Sequence, residues 1–268
     1  MTAPVARVAP TGRAPRSLSA VVLLWLLLPV VPLVVWAVAD RWSAPAVLPQ
    51  DWGLRGWDAA ADAGVVGALA RSTALGLVVA AIATPLGAMA GRALGWRELR
   101  HPGPVAWVLV APVVLPPFAV AMGLDVVLLR LGVPELVGVV LVLVTLAVPY
   151  TAYTLGAAYA ALDPQLEEQA RTLGATARQA RRRATLPAVA PGLLTAAGLA
   201  FLVGWSDYVV TLLIGGGRLV TAPILLGSAA AGAGNEPTTA ALAVASTLPL
   251  ALAVATVLLV RHRYGGRP

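Results

Sequence analysis

The chain contains no cysteine, no lysine, two histidines and only 12% charged residues in 268 positions. Without cysteine there is no disulfide framework, thiolate metal site or cysteine nucleophile, and the redox compartment leaves no trace. Without lysine the phosphate-binding loop G-x-x-x-x-G-K-[ST] is not available, so the chain is not an ATPase of that kind. His101 and His262 both lie beside arginine in polar stretches. Metal and imidazole acid–base chemistry is therefore poorly supplied, and neither catalytic residues nor metal ligands are expected. The low charge carries further. A soluble domain has roughly 25% charged residues, and with 59% apolar residues too few polar groups remain to cover a water-facing surface. The composition reads as a membrane protein without a nucleic-acid partner.

A spanning helix needs about 20 largely uncharged residues, because a rise of about 1.5 Å per residue must cross roughly 30 Å of hydrocarbon. Six runs qualify: Ser17 to Ala39, Ser72 to Gly91, Val105 to Leu124 (extending past Asp125 to Leu129), Leu136 to Leu162, Ala188 to Ile214 (interrupted by Asp207), and Thr239 to Val260. The expected fold is all-α, with six transmembrane helices. All 19 basic residues are arginine, and 14 of them fall in the N-terminal tail, the second-to-third and fourth-to-fifth loops and the C-terminal tail. Five, Arg41, Arg55, Arg71, Arg130 and Arg218, fall on the other side. Short cytoplasmic loops hold the excess of positive charge, so both termini are expected in the cytoplasm.

The first run has a rival reading as a secretory signal, since Ala37-Val38-Ala39 resembles an A-x-A cleavage site. Its 23 residues exceed the apolar core of such signals, about 7 to 15 residues, and favour a retained helix. The following external segment carries Asp40, Asp51, Asp58 and Asp62 with Trp42, Trp52 and Trp57. That mixture suits an aromatic belt at headgroup depth or, alternatively, a surface for an external partner.

Residues 161–187 read ALDPQLEEQARTLGATARQARRRATLP and predict two short helices. Asp163 is placed to cap the first, with Pro164 at a position where a missing N–H costs nothing. Gly174 is placed to end it in the left-handed region, Thr176 and Gln179 form a capping box for the second, and Leu186-Pro187 closes that one. Arg181, Arg182 and Arg183 lie where anionic headgroups of lipid would attract them.

The spacing Glu168-Gln169-Ala170, three residues, Gly174, nine residues, Ala184, one residue, Leu186-Pro187 resembles the EAA loop of binding-protein-dependent bacterial ABC importer permeases. The usual pattern has Ala in place of Gln169 and Ile in place of Ala184. Arg71-Ser72-Thr73 and the stretch from Trp205 through Ser206, Asp207 and Tyr208 to Leu212 resemble the same family more weakly. The resemblance implies that residues 1–63 form the cytoplasmic tail, first helix and external segment, and that 64–268 form a permease core with a coupling loop at 163–187. It implies a docking role for Glu168, Gln169, Ala170, Gly174, Leu186 and Pro187 against a cytoplasmic ATPase. Glu168 would supply charge, Ala170 a small contact surface and Gly174 the bend. It also implies a second permease subunit, an extracytoplasmic substrate-binding protein, ATP and Mg held by the ATPase rather than by this chain, residence in the bacterial inner membrane, and alternating access.

Asp125 and Asp207 are ionisable residues within spans, a class that is rare and usually functional. Both fall toward the outer leaflet. Asp207 with Trp205 and Tyr208 is a candidate for the substrate path, where a carboxylate beside aromatic rings would attract a cation, or is simply interfacial; Asp125, after a full-length span, is read first as interfacial and second as a path candidate. The resemblance is nearest to the branch serving polyamines, thiamine, ferric iron and oxyanions, which implies a small solute such as a polyamine or thiamine. Two rivals are a proton-coupled carrier using Asp125 and Asp207, and a membrane-embedded lipid-modifying enzyme, for which the spans offer no polar constellation. Gly215-Gly216-Gly217 reads as an external turn, or as a gate.

Overall fold

The computed structural model describes residues 21–265 other than 23 and 26. The beginning of the first expected span and the arginines of the N-terminal tail lie outside the described residues. From Ser17–Ala39 the structure gives α1 (Val30–Ala37), which packs on the last helix.

The segment that follows α1 contains the one departure from an all-α chain among the described residues. Strands β1 (Ala39–Arg41) and β2 (Asp51–Trp52) pair antiparallel. The hairpin is closed by polar side chains rather than by a core. Gln50 donates to the Ser43 carbonyl at 2.9 Å and accepts from its N–H at 3.0 Å, and the Trp42 indole donates to the Ala46 carbonyl at 3.0 Å. Asp40 accepts the N–H of Arg55 at 3.0 Å, so it caps α2 (Arg55–Asp62) from 15 residues away.

The remaining helices are α3 (Val65–Gly95), α4 (Pro102–Val114), α5 (Pro117–Arg130), α6 (Glu135–Ala160), α7 (Gln165–Thr172), α8 (Ala177–Ala180), α9 (Leu186–Trp205), α10 (Val209–Ile214), α11 (Ala222–Ala230) and α12 (Glu236–Gly265). Four continuous helical stretches are long and apolar enough to cross a membrane: Val65–Gly95, Glu135–Ala160, Ala177–Trp205 and Glu236–Leu259. A fifth is the pair α4 and α5, bent by 100°.

That bend corrects the third expected span. Pro116 and Pro117 are consecutive and neither has an N–H to continue the ladder. A proline also pushes the residue before it into extended backbone. Leu115 accordingly has φ −73, ψ 140 and Pro116 φ −58, ψ 127. The hydrophobic run is continuous; the helix is not.

Between apolar helices in lipid the association comes from close packing and interhelical hydrogen bonds rather than from hydrophobic expulsion. The centre of the molecule follows that rule. Gly87, Gly91 and Gly95 recur every fourth residue of α3 and face α6, where a Cβ on Gly91 would lie 2.7 Å from the Gly156 nitrogen. A Cβ on Gly76 would lie 2.9 Å from the Phe201 carbonyl of α9. The buried Thr151 hydroxyl donates across the contact to the Ala83 carbonyl at 3.0 Å. Helices α3, α6 and α9 thus form a tight body around Val79, Leu143, Ala147 and Ala200, while Leu77 and Met89 stay exposed on its outside.

Candidate functional site: the loop between α6 and α9 and the elbow at Asp207

The loop folds as its local chemistry dictates. The Asp163 carboxylate accepts the Gln165 N–H at 2.9 Å, and the acidic first turn of α7, Glu167 and Glu168, faces the positive end of the helix dipole. The helix ends in a Schellman arrangement: Ala175 N–H reaches the Ala170 carbonyl at 3.1 Å and Gly174 N–H the Arg171 carbonyl at 3.0 Å. Gly174 has φ +91, as this motif requires. The capping box is complete. Thr176 N–H donates to Gln179 Oε1 at 2.9 Å, and Gln179 N–H donates to Thr176 Oγ1 at 3.3 Å.

The second helix does not close at Leu186-Pro187. It runs on from Ala177 to Trp205 as one helix through a π turn over Arg181–Thr185, where Leu186 N–H bonds the Arg181 carbonyl five residues back. Pro187 has no N–H for the carbonyl of Arg183, and the wider turn accommodates its ring. The fifth expected span therefore begins in the loop itself.

Of the residues singled out in the sequence, Glu168, Gln169, Gly174 and Pro187 are exposed, Leu186 is 36% exposed and Ala170 half-buried. Leu173, between them, is 89% exposed. The neighbour of Glu168 behaves differently. The carboxylate of Glu167 accepts both terminal nitrogens of Arg92, each at 3.2 Å, and the Thr185 hydroxyl at 2.7 Å. Arg92 also meets Glu98 at 3.3 Å and sits 4.5 Å over the Trp96 ring, whose indole donates to the Tyr159 carbonyl at 2.9 Å. The only trace of this in the sequence is the Glu-Glu doublet, since adjacent residues on a helix point about 100° apart.

At the opposite end, α9 stops at Trp205 and Asp207 starts α10. The Asp207 carboxylate accepts Thr211 N–H at 2.8 Å, Thr211 Oγ1 at 2.9 Å and Val210 N–H at 3.4 Å. Trp205 is buried and its indole donates to Thr73 Oγ1 at 3.3 Å. Tyr208 is 40% exposed and its ring lies against Gly227. Asp125, on α5, is half-buried and shares no hydrogen bond with Asp207 among the described residues. The structure joins Trp205, Asp207 and Tyr208 at one elbow, while Asp125 lies on α5, which packs against α10.

Arg71, Ser72 and Thr73 each hold that elbow. Arg71 donates to the Val220 carbonyl, Ser72 Oγ accepts Ala222 N–H at 2.8 Å, and Thr73 meets Trp205. The glycine run turns with φ +56 at Gly216 and +75 at Gly217, and Arg218 pairs with Glu135 at 2.9 Å. No group of three or more His, Cys, Asp or Glu side chains placed to hold a metal occurs among the described residues.

The model of a family described as binding-protein-dependent transport system inner membrane component matches residues 83–264. A trehalose transport system permease protein of Mycobacterium tuberculosis is 32% identical over 190 residues, 68% of this chain and 69% of that protein. A diacetylchitobiose uptake system permease protein of Streptomyces coelicolor is 35% identical over 80 residues, 30% of this chain and 29% of that protein. A putrescine transport system permease protein of Escherichia coli is 27% identical over 173 residues, 59% of this chain and 61% of that protein. The fold is shared with a chain in the crystal structure of a bacterial ABC transporter involved in the import of the acidic polysaccharide alginate, with a TM-score of 0.57 at 14% identity, covering 93% of this chain and 98% of that one. The chain belongs to the family of binding-protein-dependent inner membrane components, the permease subunits of ABC importers, and is a transporter subunit rather than an enzyme.

Proposed function

We propose that this permease admits a small saccharide and is driven through the 163–187 loop by a cytoplasmic ATPase that holds ATP and Mg. A second permease subunit completes the path, a substrate-binding protein delivers the solute from outside, and the loop and both termini face the cytoplasm. The excess of arginine on the loop side supports that orientation, with Arg171, Arg178, Arg181, Arg182 and Arg183 all exposed. The exposed row Glu168, Gln169, Leu173 and Gly174 supports docking, with charge, apolar surface and bend on one short helix and its end.

One observation carries the saccharide reading over the cationic solute that the sequence suggested. Three donors occupy the Asp207 carboxylate, so the anion beside Trp205 and Tyr208 is a helix cap rather than an open site for a cation. The permease named for trehalose, similar over about two thirds of both chains, points the same way. A polyamine is the second reading, favoured by the permease named for putrescine and by Asp125, which makes no side-chain hydrogen bond among the described residues. Uptake of labelled trehalose and labelled putrescine, measured in cells carrying the chain with its companion subunits, separates the two. Putrescine uptake that excess trehalose leaves untouched would overturn the saccharide reading.

Docking is tested separately. The chain lacks cysteine, so Leu173→Cys is a unique thiol, and it is expected to cross-link to the ATPase subunit in the assembled complex. Absence of that product would remove the docking assignment.

A further inference from the structure

The two adjacent carboxylates of α7 have opposite surroundings, and only one of them faces outward. Helix α7 has eight residues and none of them is buried. Isolated helices of that length are unstable in water, and both of its ends are turns, at Asp163-Pro164 and at Gly174. Something outside the helix must fix its position. The side chain of Glu167 is 18% exposed, and through it three core helices converge on α7. Arg92 lies near the end of α3. Thr185 forms the base of α9. Trp96, under the Arg92 guanidinium, is bonded to the Tyr159 carbonyl near the end of α6 and packs edge-on against its ring at 5.3 Å.

We propose that Glu167 is a positioning residue for coupling: its ion pair with Arg92 and its bond to Thr185 bolt α7 to the body formed by α3, α6 and α9, so that a displacement imposed on α7 becomes a displacement of that body. This rests on the reading of the loop as the ATPase-docking element. A pair of opposite charges with matched bidentate geometry fixes orientation as well as distance. Without it, the turns on either side of α7 act as hinges and absorb the stroke. Glu98, 3.3 Å from Arg92 Nε, keeps a partner for the guanidinium when Glu167 is changed. Loss of Glu167 therefore frees α7 without stranding a half-buried charge.

The experiment uses the assembled complex with its ATPase subunits and two single-cysteine reporters. Leu173→Cys reports docking by cross-linking. Val66→Cys, 77% exposed at the outer start of α3, reports the body by the change in its thiol-labelling rate when ATP is added. In Glu167→Ala and in the isosteric Glu167→Gln, the cross-link and ATP hydrolysis persist, while the ATP-dependent change at Val66→Cys falls by about tenfold, within the usual range of coupling between distant sites. The exchange Arg92→Glu with Glu167→Arg, in a Glu98→Gln background that removes the competing carboxylate, restores it. A full change at Val66→Cys in Glu167→Ala, no such change in the unaltered chain while Leu173→Cys cross-links, or no recovery in the exchange would each overturn the inference. Failure of Leu173→Cys to cross-link would instead count against the docking reading.

Discussion

The indole N–H of Trp205 donates to the hydroxyl of Thr73 at 3.3 Å, tying the C-terminal end of α9 to α3 across 132 residues of sequence. Next to it, Ser72 Oγ accepts the N–H of Ala222 at 2.8 Å inside a fully buried contact. The two bonds differ in what their loss exposes. Interhelical hydrogen bonds in membranes average about 0.6 kcal/mol, so Trp205→Phe should lower stability by that order and leave solute uptake in place. Ser72→Ala leaves a buried N–H without a partner, which costs about 1–3 kcal/mol. Thermal unfolding of the detergent-solubilised protein is expected to rank Ser72→Ala well below Trp205→Phe, and equal stability of the two would contradict the assignment of Ser72.

Asp207 offers a cleaner test of role. As a helix cap its replacement by Ala should cost about 0.5–2 kcal/mol, with lower uptake through a loosened elbow. Asn retains one acceptor oxygen for Thr211, so Asp207→Asn is expected to keep most of the uptake. A collapse of uptake in Asp207→Asn at undiminished stability would show that the charge itself is needed.

The contact of α3 with α6 makes opposite predictions for two glycines that face each other. A Cβ at Gly91 would stand 2.7 Å from the Gly156 nitrogen and 2.8 Å from the Ala152 carbonyl, whereas a Cβ at Gly156 would stand 3.6 Å from the Gly91 carbonyl. Gly91→Ala must push backbone apart and should destabilise by about 1–3 kcal/mol. Gly156→Ala should be close to neutral, and the difference is read in the thermal midpoints of the two purified variants.

Gly174 stands in open space: a Cβ there would meet no atom within 4 Å, yet φ is +91. The cost of replacing it is therefore conformational, about 1–2 kcal/mol for an ordinary residue, and depends on backbone preference rather than on volume. Gly174→Asn should retain more ATP-driven uptake than Gly174→Ala, and Gly174→Val should retain least. An order that follows side-chain size alone, with Ala best, would point to a steric contact with a partner.

Features fixed within a few residues were legible in the sequence. Thr176 and Gln179 stand three apart, and their reciprocal bonds need nothing from the rest of the chain. Asp163, Pro164 and Gly174 are similar, since each acts on backbone within two or three positions. The Pro116-Pro117 bend was also local, but a hydropathy count weighs proline as merely uncharged and passes over it. The Asp207 cap had its signal in Thr211 four residues on; its place in an apolar run drew attention to charge instead of to hydrogen bonds. Glu167 had no such signal. Its partner Arg92 is 75 residues away, and which carboxylate of the doublet turns inward depends on where α3 ends relative to α7, a tertiary fact.

The π turn at Arg181–Thr185 sets the azimuth between the two ends of a 29-residue rod. At about 1.5 Å and 100° per residue, that rod is roughly 43 Å long, and each residue added or removed in its α-helical part would rotate its base against its top by about a quarter of a revolution. Arginines of the π turn can be exchanged for other polar residues at modest expense. A single deletion in the α-helical stretch beyond Leu186 would instead swing the surface around Glu168 and Leu173 out of phase with the elbow at Asp207, so length is the quantity that a working chain must keep.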